Sequence, residues 1–182
     1  MRATTMLRYN RLGHLAIVLA VVVTVLAAGW LYYRWRFPYG RSHSCDKALW
    51  MALEQYADEH DGAYPSGGAT PEACLGLLYP RVDAEVLRGK TVPMDVVQVA
   101  LNRGEPLGPD TCGWHFVPGL RREDEGFALF WDKAGLGHFG ERLSAGGHVV
   151  FFVGSGSRYI PASEWPAFLE EQARLHARRG RK

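Results

Sequence analysis

The sequence predicts an α+β protein: one N-terminal transmembrane helix, an amphipathic helix packed on a small antiparallel sheet, and a closing C-terminal helix. Three patterns carry that expectation. Leu15 to Tyr33 reads LAIVLAVVVTVLAAGWLYY, with no charged side chain. Between Cys45 and His60, apolar residues recur at i, i+4 and i+7, the period of a helix with one buried face. After residue 90 come short β-prone runs, split by Gly, Pro and charged turns.

At about 1.5 Å per residue the apolar run spans roughly 28 Å, close to the thickness of a bilayer's hydrocarbon layer. Trp30, Tyr32, Tyr33 and Trp35 gather at one end like an interfacial belt. Arg34 and Arg36 can reach back to headgroups. A cleaved signal peptide is the rival reading, with Arg2, Arg8 and Arg11 as its basic region and Ala27-Ala28 at the cut. The length of the run and its aromatic end favour a retained anchor. Arginines lie on both sides, so the positive-inside count does not fix orientation. A leader without acids, before a large cysteine-bearing body, favours a cytoplasmic N-terminus. The chain divides into a basic leader (1–14), a transmembrane helix (15–36), a linker (37–43), a globular domain (44–172) and a basic tail (173–182).

Pro38 and Gly40 end the first helix. Ser42 or Ser44 can cap the next, which buries Leu49, Trp50, Leu53, Tyr56 and Ala57. Gly62 suits the position after its last turn, and Pro65 forbids continuation. Thr70-Pro71-Glu72 reads as an N-cap followed by an N1 proline, opening a short helix through Leu78. Asp83 to Gly89 allows a further turn or two. Strands are expected at Val96–Leu101, Trp114–Val117, Phe127–Trp131, Val149–Val153 and Arg158–Ile160. Gly154 to Ser157 suits a tight hairpin turn. Ser163 is placed to cap a last helix with Trp165, Phe168 and Leu169 on one face.

The net charge of +2 hides unlike parts. Residues 1–47 carry seven bases and one acid, and residues 174–182 carry five bases and no acid. The middle carries nine bases and 18 acids. An acidic body disfavours nucleic acid as a partner. The basic flanks of an apolar helix point to lipid. The tail reads either as a lipid contact or as a solvated end.

Candidate chemistry is sparse. Seven histidines show no HExxH, HxxxH or HxH spacing, and no cysteine pair has zinc-finger spacing. His115, Asp132, His138 and His148 lie near strand ends and are the residues that could converge on a metal. The spacing favours ordinary hydrogen-bonded histidines, so neither a metal nor a cofactor is expected. No GxSxG, GxGxxG or P-loop is present. Glu123-Asp124-Glu125 reads as a solvated loop. Cys74 and Cys112 either form a disulfide closing a loop of about 40 residues or are two small buried residues, with Cys45 free.

Residues 48–78, ALWMALEQYADEHDGAYPSGGATPEACLGLL, resemble the helix-to-loop passage of major pseudopilins of type II secretion. The shared pattern is Ala48-Leu49, Tyr56, an acidic stretch, Gly62, Tyr64-Pro65 and Gly76-Leu77. The C-terminal half is similar to a bacterial branch of pilin-like proteins. It has Val117-Pro118-Gly119-Leu120, Trp131-Asp132-Lys133, His138 in a glycine-rich loop, an apolar strand, and Tyr159-Ile160-Pro161 before Glu164-Trp165. It departs at Gly154-Ser155-Gly156, where that branch carries Asp-Gly-His. The leader ends at Gly13, so the resemblance implies cleavage between Gly13 and His14. Val18 then stands where the family has its glutamate. The resemblance implies a bacterial inner-membrane protein with its domain in the periplasm or outside the cell. Its partners would be like subunits or secretion-machinery proteins. An anchored periplasmic enzyme or ligand-binding domain is the alternative, and it predicts a concave site holding His115, His138 or Asp132.

Overall fold

The computed structural model describes residues 3–41 and 45–180, with side chains from Gly13 onward. Two units divide at Pro38 and Tyr39.

The first unit is one helix, α1 (Ala3–Arg36). Its stretch Gly13–Arg36, 24 residues long, is apolar enough to cross a membrane. Leu15, Val18, Val22, Leu26 and Leu31 all stand exposed, so the helix is apolar all round instead of carrying one core-facing stripe. The hydroxyl of Thr24 donates to the Ala20 carbonyl at 2.8 Å, which satisfies a polar group amid apolar neighbours. Gly13 and His14 lie inside this continuous helix.

The second unit begins with α2 (Asp46–Glu59). Leu49, Leu53 and Ala57 form its buried stripe, flanked by half-buried Trp50 and Tyr56. Cys45 holds the N-cap position with no side-chain cap, while Ser42 and Ser44 lie outside the described residues. Asp61 (φ 52°) and Gly62 (φ 82°) reverse the chain, and the Gly62 amide closes on the Ala57 carbonyl at 2.8 Å. The Tyr64 hydroxyl then donates back to Glu54 on α2 at 2.6 Å. In α3 (Pro71–Gly76) the Thr70 hydroxyl accepts from the Ala73 amide at 3.1 Å, the expected cap. A single turn, α4 (Ala84–Leu87), follows.

The strand expected at Val96–Leu101 is instead part of a helix, α5 (Met94–Asn102). Pro93 opens it, and Val97 and Ala100 are buried with Met94 and Leu101 beside them, a helical spacing. Of the three β-branched residues that suggested a strand, Val97 is in the core while Val96 and Val99 face outward, a split that fits a helix.

Four strands remain: β1 (Trp114–Phe116), β2 (Ala128–Asp132), β3 (His148–Phe152) and β4 (Gly156–Ile160). They pair antiparallel in chain order. Alternation gives the sheet two faces. Trp114, Phe116, Phe130 and Phe151 share one core with Leu49, Leu53, Leu75 and Leu87 of the preceding helices. Trp131, Val150, Phe152 and Ile160 face the other way, against α6 (Trp165–Arg179). A bulge lies between Ala128 and Phe130, where the pairing to β3 skips a residue. It turns Leu129 and Phe130 to the same face, which strict alternation forbids.

Helix α6 starts after Glu164 rather than Ser163, and no side chain caps it. Its packed face is Phe168, Gln172 and Leu175, and the expected Leu169 points outward. Gln172 accepts from the Ala128 amide at 2.8 Å. The helix runs on through Arg179, whose guanidinium meets Asp124 at 3.0 Å and the Gly119 carbonyl at 2.7 Å. Residues 173–179 thus continue the last helix, with Arg179 anchored to Asp124 while Arg174 and Arg178 stay exposed.

Phe130 is fully buried, edge-on to Trp114 at 5.6 Å and stacked on Phe151 at 4.7 Å. Phe130→Ala is expected to lower stability by about 3–5 kcal/mol in denaturant titration of the purified protein. Val96→Ala, on the exposed side of α5, should change it by about 0.5 kcal/mol or less.

Candidate functional site

A buried polar cluster centres on Lys90, which is 2 % exposed. Gly89 (φ 69°) and Gly113 make this placement possible: a Cβ on Gly89 would lie 2.8 Å from the Gly113 Cα. The two backbones touch, and the Gly113 amide donates to the Arg88 carbonyl at 2.8 Å. Lys90 is thereby carried under the start of β1. Its ammonium donates to Asp46 Oδ2 at 2.9 Å and lies 2.7 Å from Oδ1, which has no directed hydrogen bond of its own. The same ammonium sits 5.4 Å from the Trp114 ring centroid. The Lys90 backbone amide donates to Asp132 Oδ2 at 3.3 Å, and the Ala134 amide donates to Oδ1 at 2.9 Å.

Two buried carboxylates thus meet Lys90, Asp46 at its ammonium and Asp132 at its backbone amide. Burial raises the Asp46 carboxyl above its ordinary range, against the pull of Lys90. Burial likewise pushes Asp132 up to about 6; Lys90 and the Ala134 amide oppose the rise, and the negative Asp46 adds to it.

Next to this cluster, Lys133 donates to Glu72 at 2.6 Å and to the carbonyls of Cys112 and Pro109 at 3.0 and 3.2 Å. That uses all three donors of an ammonium. The Glu72 carboxyl, though desolvated by burial, is held below its ordinary range by Lys133 and a backbone hydrogen bond.

The residues expected to converge on a metal are separated by the pleat. Trp131 and Asp132 are adjacent, so they point to opposite faces. Asp132 lies on the inner face with Lys90. His115 and His148 lie on the outer face: His115 stacks on Trp131 at 4.1 Å, and His148 packs on Trp165 at 4.0 Å. His148 Nδ1 is 2.8 Å from the Asp132 carbonyl. Burial against the rings, then the charge of Lys133, holds His115 below its usual range, and burial does the same to His148. His138 is in a separate loop, edge-on to Phe139. Among the described residues, no three His, Cys, Asp or Glu side chains are grouped to hold a metal ion.

Cys45, Cys74 and Cys112 are all thiols in the structure. Cys74 lies 3.9 Å from the Gly68 carbonyl and Cys112 lies 3.3 Å from that of Leu87. Burial pushes the Cys112 thiol up to about 12, far from a reactive thiolate.

A groove of about 600 Å³ runs between α2 and residues 81–86, lined by Trp50, Met51, Gln55, Asp58, Arg81 and Asp83. Met51 is exposed there, and Trp50 Nε1 is buried without a hydrogen-bond partner. His115, Asp132, His138 and His148 lie elsewhere.

Sequence reasoning missed Lys90 and Asp46. A lysine in a Gly-Lys-Thr segment between short helices reads as a solvated loop, and Asp46 as a favourable first-turn charge. The only local signal is Gly89, whose positive φ no pattern announces.

No protein-family model, curated protein or solved structure matches the chain. The pilin-like resemblance rests on the residue pattern alone.

Lys90→Met leaves buried Asp46 without its cation and is expected to destabilise by about 3–5 kcal/mol. Adding Asp46→Leu should recover much of the loss in the same denaturant titration. Asp132 has a second signature. Its carboxyl is raised in the folded state, from 3.8 to about 6, so the stability it contributes is full below the lower value and is lost as pH rises through the upper. The stability of the wild type relative to Asp132→Asn should therefore be greatest near pH 4 and fall toward pH 7.

Proposed function

We propose that the chain is a non-enzymatic, single-pass, pilin-like membrane protein, a pseudopilin-type component of a type II secretion or type IV pilus-like system. In this reading its N-terminus is cytoplasmic at a bacterial inner membrane, and its acidic domain stands in the periplasm or outside the cell. Its work is to pack against like subunits or secretion-machinery proteins.

The observation that carries the reading is the order of parts. A membrane-length apolar helix is followed, after nine intervening residues, by an amphipathic helix whose Leu49, Leu53 and Ala57 share a core with an antiparallel meander. Tyr64, part of the pseudopilin-like passage, folds the chain back onto α2 through Glu54. Asp132 and Lys133, part of the second resemblance, have internal structural tasks. That supports a packing role over catalysis. Two features mark the chain as a divergent member. Val18 replaces a glutamate, and α1 stops at Arg36 instead of continuing into the domain.

A phosphatase fused after Lys182 should be active in bacteria, and the fusion should stay with membranes through an alkaline wash. Deleting residues 15–36 should release it. An inactive fusion overturns the topology. A mature N-terminus just beyond Ala28 overturns the anchor, because it identifies a removed signal peptide. A photo-crosslinker at exposed Met51 should capture a second copy or an inner-membrane secretion protein, and its failure to crosslink in native membranes counts against the packing role.

A further inference from the structure

The loop after β2 holds an apolar side chain outward with unusual care. Leu136 and Arg142 pair across its base. The Gly137 amide donates to the Glu141 carbonyl at 2.8 Å, and the Gly140 amide to the Gly137 carbonyl at 3.0 Å. The Glu141 carboxylate accepts from the Phe139 amide at 2.8 Å, which fixes the tip. The ring that this backbone presents is Phe139, 45 % exposed, with the Arg41 guanidinium 5.1 Å from its centroid.

A single exposed apolar side chain means little by itself. Here its position in the chain gives it meaning. Arg41 is five residues beyond Arg36, the end of α1, a reach of at most roughly 18 Å even when fully extended. Phe139 touches Arg41, so the same short tether bounds its distance from the end of the apolar helix. Tyr39, in that tether, is 59 % exposed, and Lys47 is exposed in the first turn of α2. Aromatic rings beside basic side chains are the composition of a membrane interface.

We propose that the 137–142 loop is a second, shallow membrane contact, in which Phe139 enters the interfacial layer while Arg41 and Lys47 meet anionic phospholipid headgroups. This rests on α1 being a retained anchor.

The test uses the full chain in vesicles of phosphatidylcholine and phosphatidylglycerol, roughly 2:1 to supply anionic headgroups. A polarity-sensitive dye is attached at Phe139→Cys in a Cys45→Ser background, with Ser155→Cys at the far β3–β4 turn as the control. His138→Cys replaces the first variant if that one does not fold. The dye at the loop should emit to the blue and be quenched severalfold more by headgroup-level spin-labelled lipid than the dye at residue 155. Arg41→Glu should shrink that difference. Equal quenching at the two sites, in protein that floats with the vesicles, overturns the proposal and leaves the anchor intact. Protein that does not float overturns the anchor, and the proposal with it.

Discussion

A buried ammonium is the constraint around which the domain is arranged. Lys90 cannot be withdrawn from water unless something negative meets it, and that partner is Asp46 in the first turn of α2. Its backbone amide binds Asp132 at the end of β2, and its charge lies over Trp114 of β1. One residue thus ties the first helix of the domain to two strands. Such a pair adds little net stability over an apolar filling, yet it tolerates only one arrangement of its partners. Trp114 strengthens the same joint, since its indole donates to the Val86 carbonyl at 2.7 Å. The approach of Gly89 to Gly113 is the steric condition for all of this.

The sheet then divides the labour. Its inner face is packed with helices and holds the ionic cluster, while its outer face is aromatic and covered by α6. The bulge at Leu129 lets β2 serve both, giving two consecutive side chains to the larger core before Trp131 turns to the smaller. Gln172 replaces an apolar residue in the middle of the packed face of α6 because the bulge leaves the Ala128 amide to be satisfied from outside the ladder. Polar groups that read as chemistry in isolation are here the fittings of a folded core.

Most of this architecture was readable in the residues. The apolar run, the stripe of α2, the Thr70 cap and four of the strands have strong local signals, and each lies where its pattern put it, within a residue or two. The failures share a cause. Val96 to Leu101 is rich in β-branched residues, but its burial is set by contact with α4, which no local pattern encodes. Leu169 looked like a core residue until Gln172 took the place facing the bulge. Asp132 and the two outer histidines seemed close because they are near strand ends, yet the pleat separates them. Lys90 was invisible because its environment is built from residues more than 40 positions away on either side.

That separation has a consequence for how the chain becomes a domain. Asp46 and Lys90 are 44 residues apart, and Lys90 and Asp132 are 42 apart. The bond of Gln172 to Ala128 spans 44 residues, and that of Arg179 to Gly119 spans 60. Contacts of such range are assembled slowly, because loop closure precedes the reward. A nascent chain emerging from its N-terminus would have the α2 stripe available long before the sheet that covers it. The apolar face of α2 must therefore wait, hydrated, until β2 arrives, and the outer aromatic face until α6 does. Closing the outer face depends on α6, so a chain cut before Trp165 would keep its apolar N-terminal helix and leave Trp131, Val150 and Phe152 uncovered.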